Sequence, residues 1–105
     1  MSHSRNDARS RRLHQAIAQK LLANPEPVLA QARRQIQAMH RDPHTRPYAE
    51  RWAKLLALPI SELAQRLTED SEELRDLRQC TPFAGVLAPS ERWAIYRAFR
   101  QEGPV

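Results

Sequence analysis

The chain has 105 residues, of which 41% are hydrophobic and 28% charged, and its formal net charge is +5 at pH 7. This length fits one small domain, and the single cysteine, Cys80, excludes an intrachain disulfide. No apolar run approaches the roughly 18 residues that a membrane span needs, and the polar N-terminus carries no secretory signal. The sequence therefore predicts a cytoplasmic protein without a membrane segment.

The first half of the chain predicts two amphipathic helices. Residues 1–6 are polar and uncapped and are expected to be disordered, whereas residues 7–102 are expected to form a single helical domain. A helix is predicted from Asp7, with Leu13, Ile17 and Leu21 on one face. Asn24 is a favourable N-cap for a second helix. The apolar positions of that helix recur at spacings of three and four: Val28, Leu29, Ala32, Ile36 and Met39.

The second half predicts shorter helices separated by prolines. A third helix is expected from about Pro47 to Ala57, a fourth within residues 59–67, and a fifth over residues 71–79. Asp70 and Glu73 have the spacing of a capping box before the fifth helix. The last helix is expected from Pro89 to about residue 101, with residues 103–105 as a tail. Together these elements predict an all-α bundle of five or six short helices.

An apolar loop, "TPFAGVL", precedes the last helix and places Phe83, Val86 and Leu87 around Gly85. Such a loop is expected to fold over the open end of a bundle of short helices and to close its core. Gly85 would permit a turn geometry that other residues avoid. The alternative is a hydrophobic patch that faces a partner.

The residue types that carry catalysis or bind metals do not form a recognisable motif. His40 and His44 flank Pro43, which breaks the helix that a two-histidine metal site would need. Cys80, His14 and Asp76 lack the local sequence of a nucleophile elbow. The acidic residues of the fifth helix are typical of a solvated face. The sequence therefore predicts no enzyme activity, no cofactor and no metal.

The charge distribution offers nucleic-acid binding as an alternative function. Residues 1–54 carry a net charge of +7, whereas residues 55–79 carry −3. A helix-turn-helix over residues 58–79 is disfavoured, because its second helix begins with acidic residues that would approach phosphates. Basic residues of the first two helices are the candidate phosphate contacts: Arg5, Arg9, Arg11, Arg12, Lys20, Arg33 and Arg34.

The segment from Leu67 to Arg100 resembles a small bacterial all-α family. Its shared features are an Asp-Ser pair before a helix ending Leu-Arg-Gln, a Ser- or Thr-Pro-Phe-Ala-Gly-Val-Leu loop, and a proline-started helix bearing Glu-Arg-Trp. Cys80 and Ala88 depart from this pattern, where a serine and a hydroxyl cap are expected.

The resemblance implies an antitoxin-like member of a toxin–antitoxin pair. The predicted function is a non-enzymatic regulatory module that occludes a partner protein, such as a toxin. The oligomeric state is left open by the sequence. The predicted contact residues come from the loop and the last helix: Phe83, Val86, Leu87, Arg92, Trp93 and Tyr96.

Overall fold

A computed structural model describes residues 2–102, with side chains from residue 6 onward, and shows an all-α fold. The described residues contain no strand and no helix that is both long and apolar enough to cross a membrane. The predicted all-α bundle is therefore confirmed. Its elements are α1 (Ser2–Ala23), α2 (Pro25–His40), α3 (Arg46–Leu56), α4 (Ile60–Leu67), α5 (Glu72–Arg78), one turn of 3-10 helix (Ala84–Val86) and α6 (Pro89–Glu102).

Helix α1 is longer than the sequence predicts. It begins at Ser2 rather than Asp7, so residues 2–6, predicted to be disordered, are helical. No proline or glycine interrupts this stretch, and the Asp7 carboxylate accepts a hydrogen bond from Arg78 instead of starting the helix. Met1 and the predicted tail, residues 103–105, lie outside the described residues.

The N-cap of α5 also differs from the predicted one. The Ser71 hydroxyl accepts a hydrogen bond from the Leu74 amide at 3.2 Å, so Ser71 occupies the position assigned to Asp70. Glu73, the second residue of the predicted capping box, pairs with Arg66 of α4. The other helix boundaries agree with the prediction to within one or two residues.

The core is centred on α1, which packs against α2, α4, α5 and α6. Helices α1 to α5 and the apolar loop supply the buried hydrophobic side chains, while α6 supplies none. The buried positions of α2 are the five that the periodicity predicts: Val28, Leu29, Ala32, Ile36 and Met39.

The apolar loop completes this core. Phe83 is fully buried and Leu87 is 4% exposed. The Phe83 ring meets the Trp52 ring edge to face, with 5.6 Å between the centroids. The Trp52 indole N–H donates to the carbonyls of Leu77 and Cys80, at 3.2 and 2.9 Å. The loop therefore closes the core, as predicted, over the indole of α3.

Gly85 does not have the predicted backbone role. It lies in the 3-10 turn, and its φ is outside the left-handed region that favours glycine. A Cβ at this position would meet the side-chain nitrogen of Gln31 at 2.7 Å. Gly85 therefore leaves room for a side chain of α2, and the turn itself does not require it.

Candidate partner-binding cleft

Helix α6 is attached to α1 mainly by charged and aromatic side chains. Glu91, near its start, pairs with Lys20 at 3.0 Å, and Glu102, at its end, pairs with Arg12. Along α6, Tyr96 lies between these two glutamates, and the guanidinium of Arg9 lies over its ring, 5.2 Å from the centroid. Because Arg9, Arg12 and Lys20 share one face of α1, this basic face is covered by α6.

The outer face of α6 is aromatic and basic. No residue of α6 is buried, although Ile95 packs partly against the core. Trp93 is 58% exposed and, with Leu22 of α1, is one of two exposed large hydrophobic residues among the described residues. Trp93, Tyr96 and Arg100 follow one another at spacings of three and four, so they form a stripe along one face.

This stripe borders a concave surface, which we call the α1–α6 cleft. The cleft has a volume of about 310 Å³. Its lining residues come from both helices: Asn6, Arg9, Trp93, Tyr96, Phe99 and Arg100. Three of these are aromatic and two are arginines, and no carboxylate is among them.

A second cavity of about 540 Å³ adjoins the cleft, because both are lined by Asn6, Arg9 and Tyr96. Asp7, Arg75 and Arg78 line its other side. The side chain of Arg78 is fully buried, and its guanidinium donates to Asp7 at 3.1 Å. A buried charge requires such a partner, so this ion pair forms a fixed polar wall between α1 and α5.

One further set of contacts holds Arg78. One terminal nitrogen donates to the carbonyls of Leu67 and Glu69, at 3.3 and 2.9 Å, where α4 ends. The Nε atom is buried without a hydrogen-bond partner among the described residues. Arg78 thus satisfies carbonyls that the end of α4 leaves unpaired.

The predicted partner residues separate into two groups. Phe83 is fully buried and Leu87 is 4% exposed, so these two predicted contact residues lie in the core and have almost no surface to offer a partner. Val86 is half-buried and packs against the core. Trp93, Tyr96 and Arg92 retain exposed surface on α6, and the first two line a cavity.

The predicted nucleic-acid residues do not form one continuous surface. Arg12 and Lys20 are held in ion pairs with α6, and Arg11 donates to the Thr68 carbonyl at 3.2 Å. Arg33 and Arg34 are exposed on α2, away from the cleft. Arg9 is the member of this set that lines the cleft. The side chain of Arg5 lies outside the described residues.

The residues considered for catalysis or metal binding have structural contacts. The His14 imidazole is buried; its Nδ1 donates to the Ser10 carbonyl at 2.8 Å, and its Nε2 accepts from the Thr81 hydroxyl at 2.9 Å. Burial lowers the pKa of His14 to about 4, and burial raises the pKa of the Cys80 thiol. Within residues 6–102, no three His, Cys, Asp or Glu side chains are grouped to hold a metal ion.

Sequence reasoning missed two long-range pairs, Asp7 with Arg78 and His14 with Thr81. Helix α5 has only seven residues, so its sequence period does not show which side chains point inward. A buried arginine at position 78 therefore cannot be distinguished from an exposed one by the sequence. A weak signal existed for His14, since it adjoins the apolar face that contains Leu13 and Ile17. The local sequence around Arg78 or His14 does not predict which distant residue each one contacts.

Comparisons with protein-family models, curated protein sequences and solved structures found no match to this chain.

Proposed function

We propose that this protein is a non-enzymatic regulatory module that binds another protein through the outer face of α6. The observation that carries the proposal is the exposure of Trp93 on a helix that buries no residue of its own. Tryptophan, tyrosine and arginine dominate the energetics of protein interfaces, and all three are present on this face. Binding there would occlude the surface of the partner, without chemistry.

The sequence resemblance supports a specific class of partner. A toxin neutralised in the cytoplasm by an antitoxin-like protein fits a small module that acts by covering a surface. The contact set that we propose is reduced from the sequence-based one to Arg92, Trp93 and Tyr96, because the loop residues Phe83 and Leu87 belong to the core.

The test is a comparison of two exposed hydrophobic residues. Proteins that co-purify with the tagged full-length chain are identified, and the purified partner is titrated calorimetrically with Trp93→Ala and Leu22→Ala. Leu22 is the matched control, since it is 57% exposed and lies outside the cleft. We expect Trp93→Ala to weaken binding by about tenfold or more and Leu22→Ala by less than about twofold.

Circular dichroism spectra of both variants verify that they remain folded. Equal affinities of the two variants for every purified partner would contradict the proposal, as would the recovery of nucleic acid alone.

Nucleic-acid binding is the second candidate function. It is favoured by the position of Arg9 and Arg100 beside the rings of Trp93 and Tyr96, because bases stack on aromatic rings while cations contact phosphates. Binding of a labelled single-stranded oligonucleotide is measured at low and moderate salt. Phosphate-driven binding would weaken steeply with salt and would be reduced by Arg9→Ala.

A further inference from the structure

We infer that the α1–α6 cleft receives an acidic segment of the partner protein, with carboxylates against Arg9 and Arg100 and an apolar side chain against Trp93. The inference rests on the proposed protein-binding function and specifies the chemistry of the segment that is bound.

The charge of the cleft is the first reason. Neither Arg9 nor Arg100 forms an ion pair with a carboxylate within residues 6–102, although both line the same cavity. The acidic residue that lines the adjoining cavity, Asp7, is already held by Arg78 at 3.1 Å. The cleft therefore has two guanidinium groups available to an anionic ligand, and guanidinium matches carboxylate in geometry.

The aromatic lining is the second reason. Trp93 and Tyr96 lie one turn apart, and a volume of about 310 Å³ accommodates one or two side chains of a bound segment. Covering the exposed Trp93 ring would remove apolar surface from water. A segment that alternates acidic and apolar side chains would match both the arginines and the rings.

The other basic residues of α1 favour a peptide over a nucleic acid. A phosphate backbone needs a continuous row of cations, but Arg12 and Lys20, which would extend the row along α1, are paired with Glu102 and Glu91. Along α6, these two carboxylates lie on either side of Tyr96, the ring that Arg9 contacts, and of Arg100. Two available cations between carboxylates fit one or two acidic side chains better than a polyanion.

The most acidic segment of this chain is a poor candidate for filling the cleft of a second copy. Its carboxylates, in and around α5, are mostly bound within their own chain, as four ion pairs show: Arg66–Glu69, Arg66–Glu73, Arg75–Asp70 and Arg51–Asp76. A carboxylate that already pairs with an arginine of its own chain gains little by exchanging it for another surface arginine. The occupant is therefore assigned to a different protein.

The experiment uses the full-length chain and three fluorescein-labelled synthetic peptides of equal length. Each peptide alternates leucine with one polar residue, which is glutamate in the first peptide, glutamine in the second and lysine in the third. Anisotropy gives the affinity of each peptide at low and at high sodium chloride. We expect the glutamate peptide to bind about tenfold tighter than the glutamine peptide, and this difference to shrink at high salt.

Charge-reversal variants then locate the binding site. Arg9→Glu and Arg100→Glu should each weaken binding of the glutamate peptide by about fivefold or more, whereas Arg34→Glu on α2 should change it by less than about twofold. Arg34 is the matched control because it is exposed and lies outside the cleft. Arg9→Gln is a milder variant for use if reversal at Arg9 disturbs the packing of α6.

The outcomes separate this inference from the proposed function. Equal binding of the glutamate and glutamine peptides, or equal effects of Arg34→Glu and Arg9→Glu, would overturn the inference that the cleft binds an acidic segment. So would a single-stranded oligonucleotide that binds through Arg9 and Arg100 when the glutamate peptide does not. If the purified partner depends on Trp93 but not on either arginine, the proposed function stands and this inference fails.

Discussion

At the scale of single residues, buried polar groups link distant parts of the chain. The Thr81 hydroxyl donates to His14 and accepts the amide of Phe83 at 3.2 Å, so α1 holds the start of the apolar loop. The Ser10 carbonyl can only accept, which places the His14 proton on Nδ1. These bonds satisfy groups that would otherwise be buried at a cost.

The neutral state of His14 predicts a pH-dependent stability. Its pKa is about 4 in the folded chain, whereas 6.5 is the ordinary value expected for the unfolded chain. Between these values the unfolded chain binds a proton that the folded chain does not. The stability that the neutral His14 contributes is therefore fully present above about pH 6.5 and is lost as the pH falls toward 4. The free energy of unfolding falls by about 3 kcal/mol over this range.

Urea unfolding at a series of pH values measures this loss, with His14→Gln as the variant that cannot titrate. Most carboxylates titrate below about pH 5. Between about pH 6.5 and 5, the free energy of unfolding should therefore fall with decreasing pH in the parent but not in the variant. Equal slopes would show that His14 does not cause the dependence.

Phe83 and Trp93 give opposite predictions for two aromatic residues of the same segment. Phe83 is fully buried against Trp52, so Phe83→Ala should lower the free energy of unfolding by about 3–5 kcal/mol. Trp93 is largely exposed, so Trp93→Ala should change it by less than about 1 kcal/mol. Chemical denaturation of both variants checks the pair; a comparable loss from each would contradict the assignment of core and surface.

At the scale of elements, α6 differs from the other five helices. They contribute buried side chains, whereas α6 is attached by surface ion pairs, the Arg9–Tyr96 contact and partly buried apolar residues. Surface ion pairs add little to stability and are screened by salt. The element that we propose to bind a partner is therefore the one with the weakest attachment to the core.

Amide hydrogen exchange tests this attachment. We expect amides of α6 to exchange faster than those of α1 or α2, because α6 has no buried residue of its own to resist local opening. Glu91→Gln combined with Glu102→Gln should raise exchange in α6 and leave α2 unchanged. If protection of α6 equalled that of α2 in both proteins, α6 would be an integral part of the core.

At the scale of the whole molecule, three helices meet at one buried charge. Arg78 of α5 contacts Asp7 of α1, 71 positions away, and two carbonyls at and just beyond the end of α4. Carboxylates from the acidic middle of the sequence also link helices, since they pair with arginines of α3, α4 and α5. These ion pairs reduce the uneven charge that the sequence predicts for the surface.

Asp7→Asn tests the importance of this meeting point. The variant leaves the buried Arg78 guanidinium without its counter-charge, so the free energy of unfolding should fall by about 3 kcal/mol. Asp76→Asn is the matched control, because Asp76 pairs with Arg51 at the surface and should matter much less. Urea unfolding of both variants provides the measurement; equal losses would contradict a special role for Asp7.

The sequence by itself determined the helices and much of the core. Helical boundaries depend on neighbouring residues, such as the prolines in the first turns of α2, α3 and α6, and these are readable along the chain. The buried face of α2 follows from a period that only a helix produces. The closing role of the apolar loop was also predictable, because a bundle of short helices leaves an end that needs covering.

Only the tertiary structure decided which groups meet across the chain. The bonds of Asp7 to Arg78 and of His14 to Thr81 join residues 71 and 67 positions apart, and no local pattern specifies such pairs. The same holds for the α1–α6 cleft, which joins Arg9 from the predicted nucleic-acid set to Trp93 and Tyr96 from the predicted partner set. Local periodicity fixes the inward face of each helix, but the packing of helices against one another determines which outward side chains become neighbours.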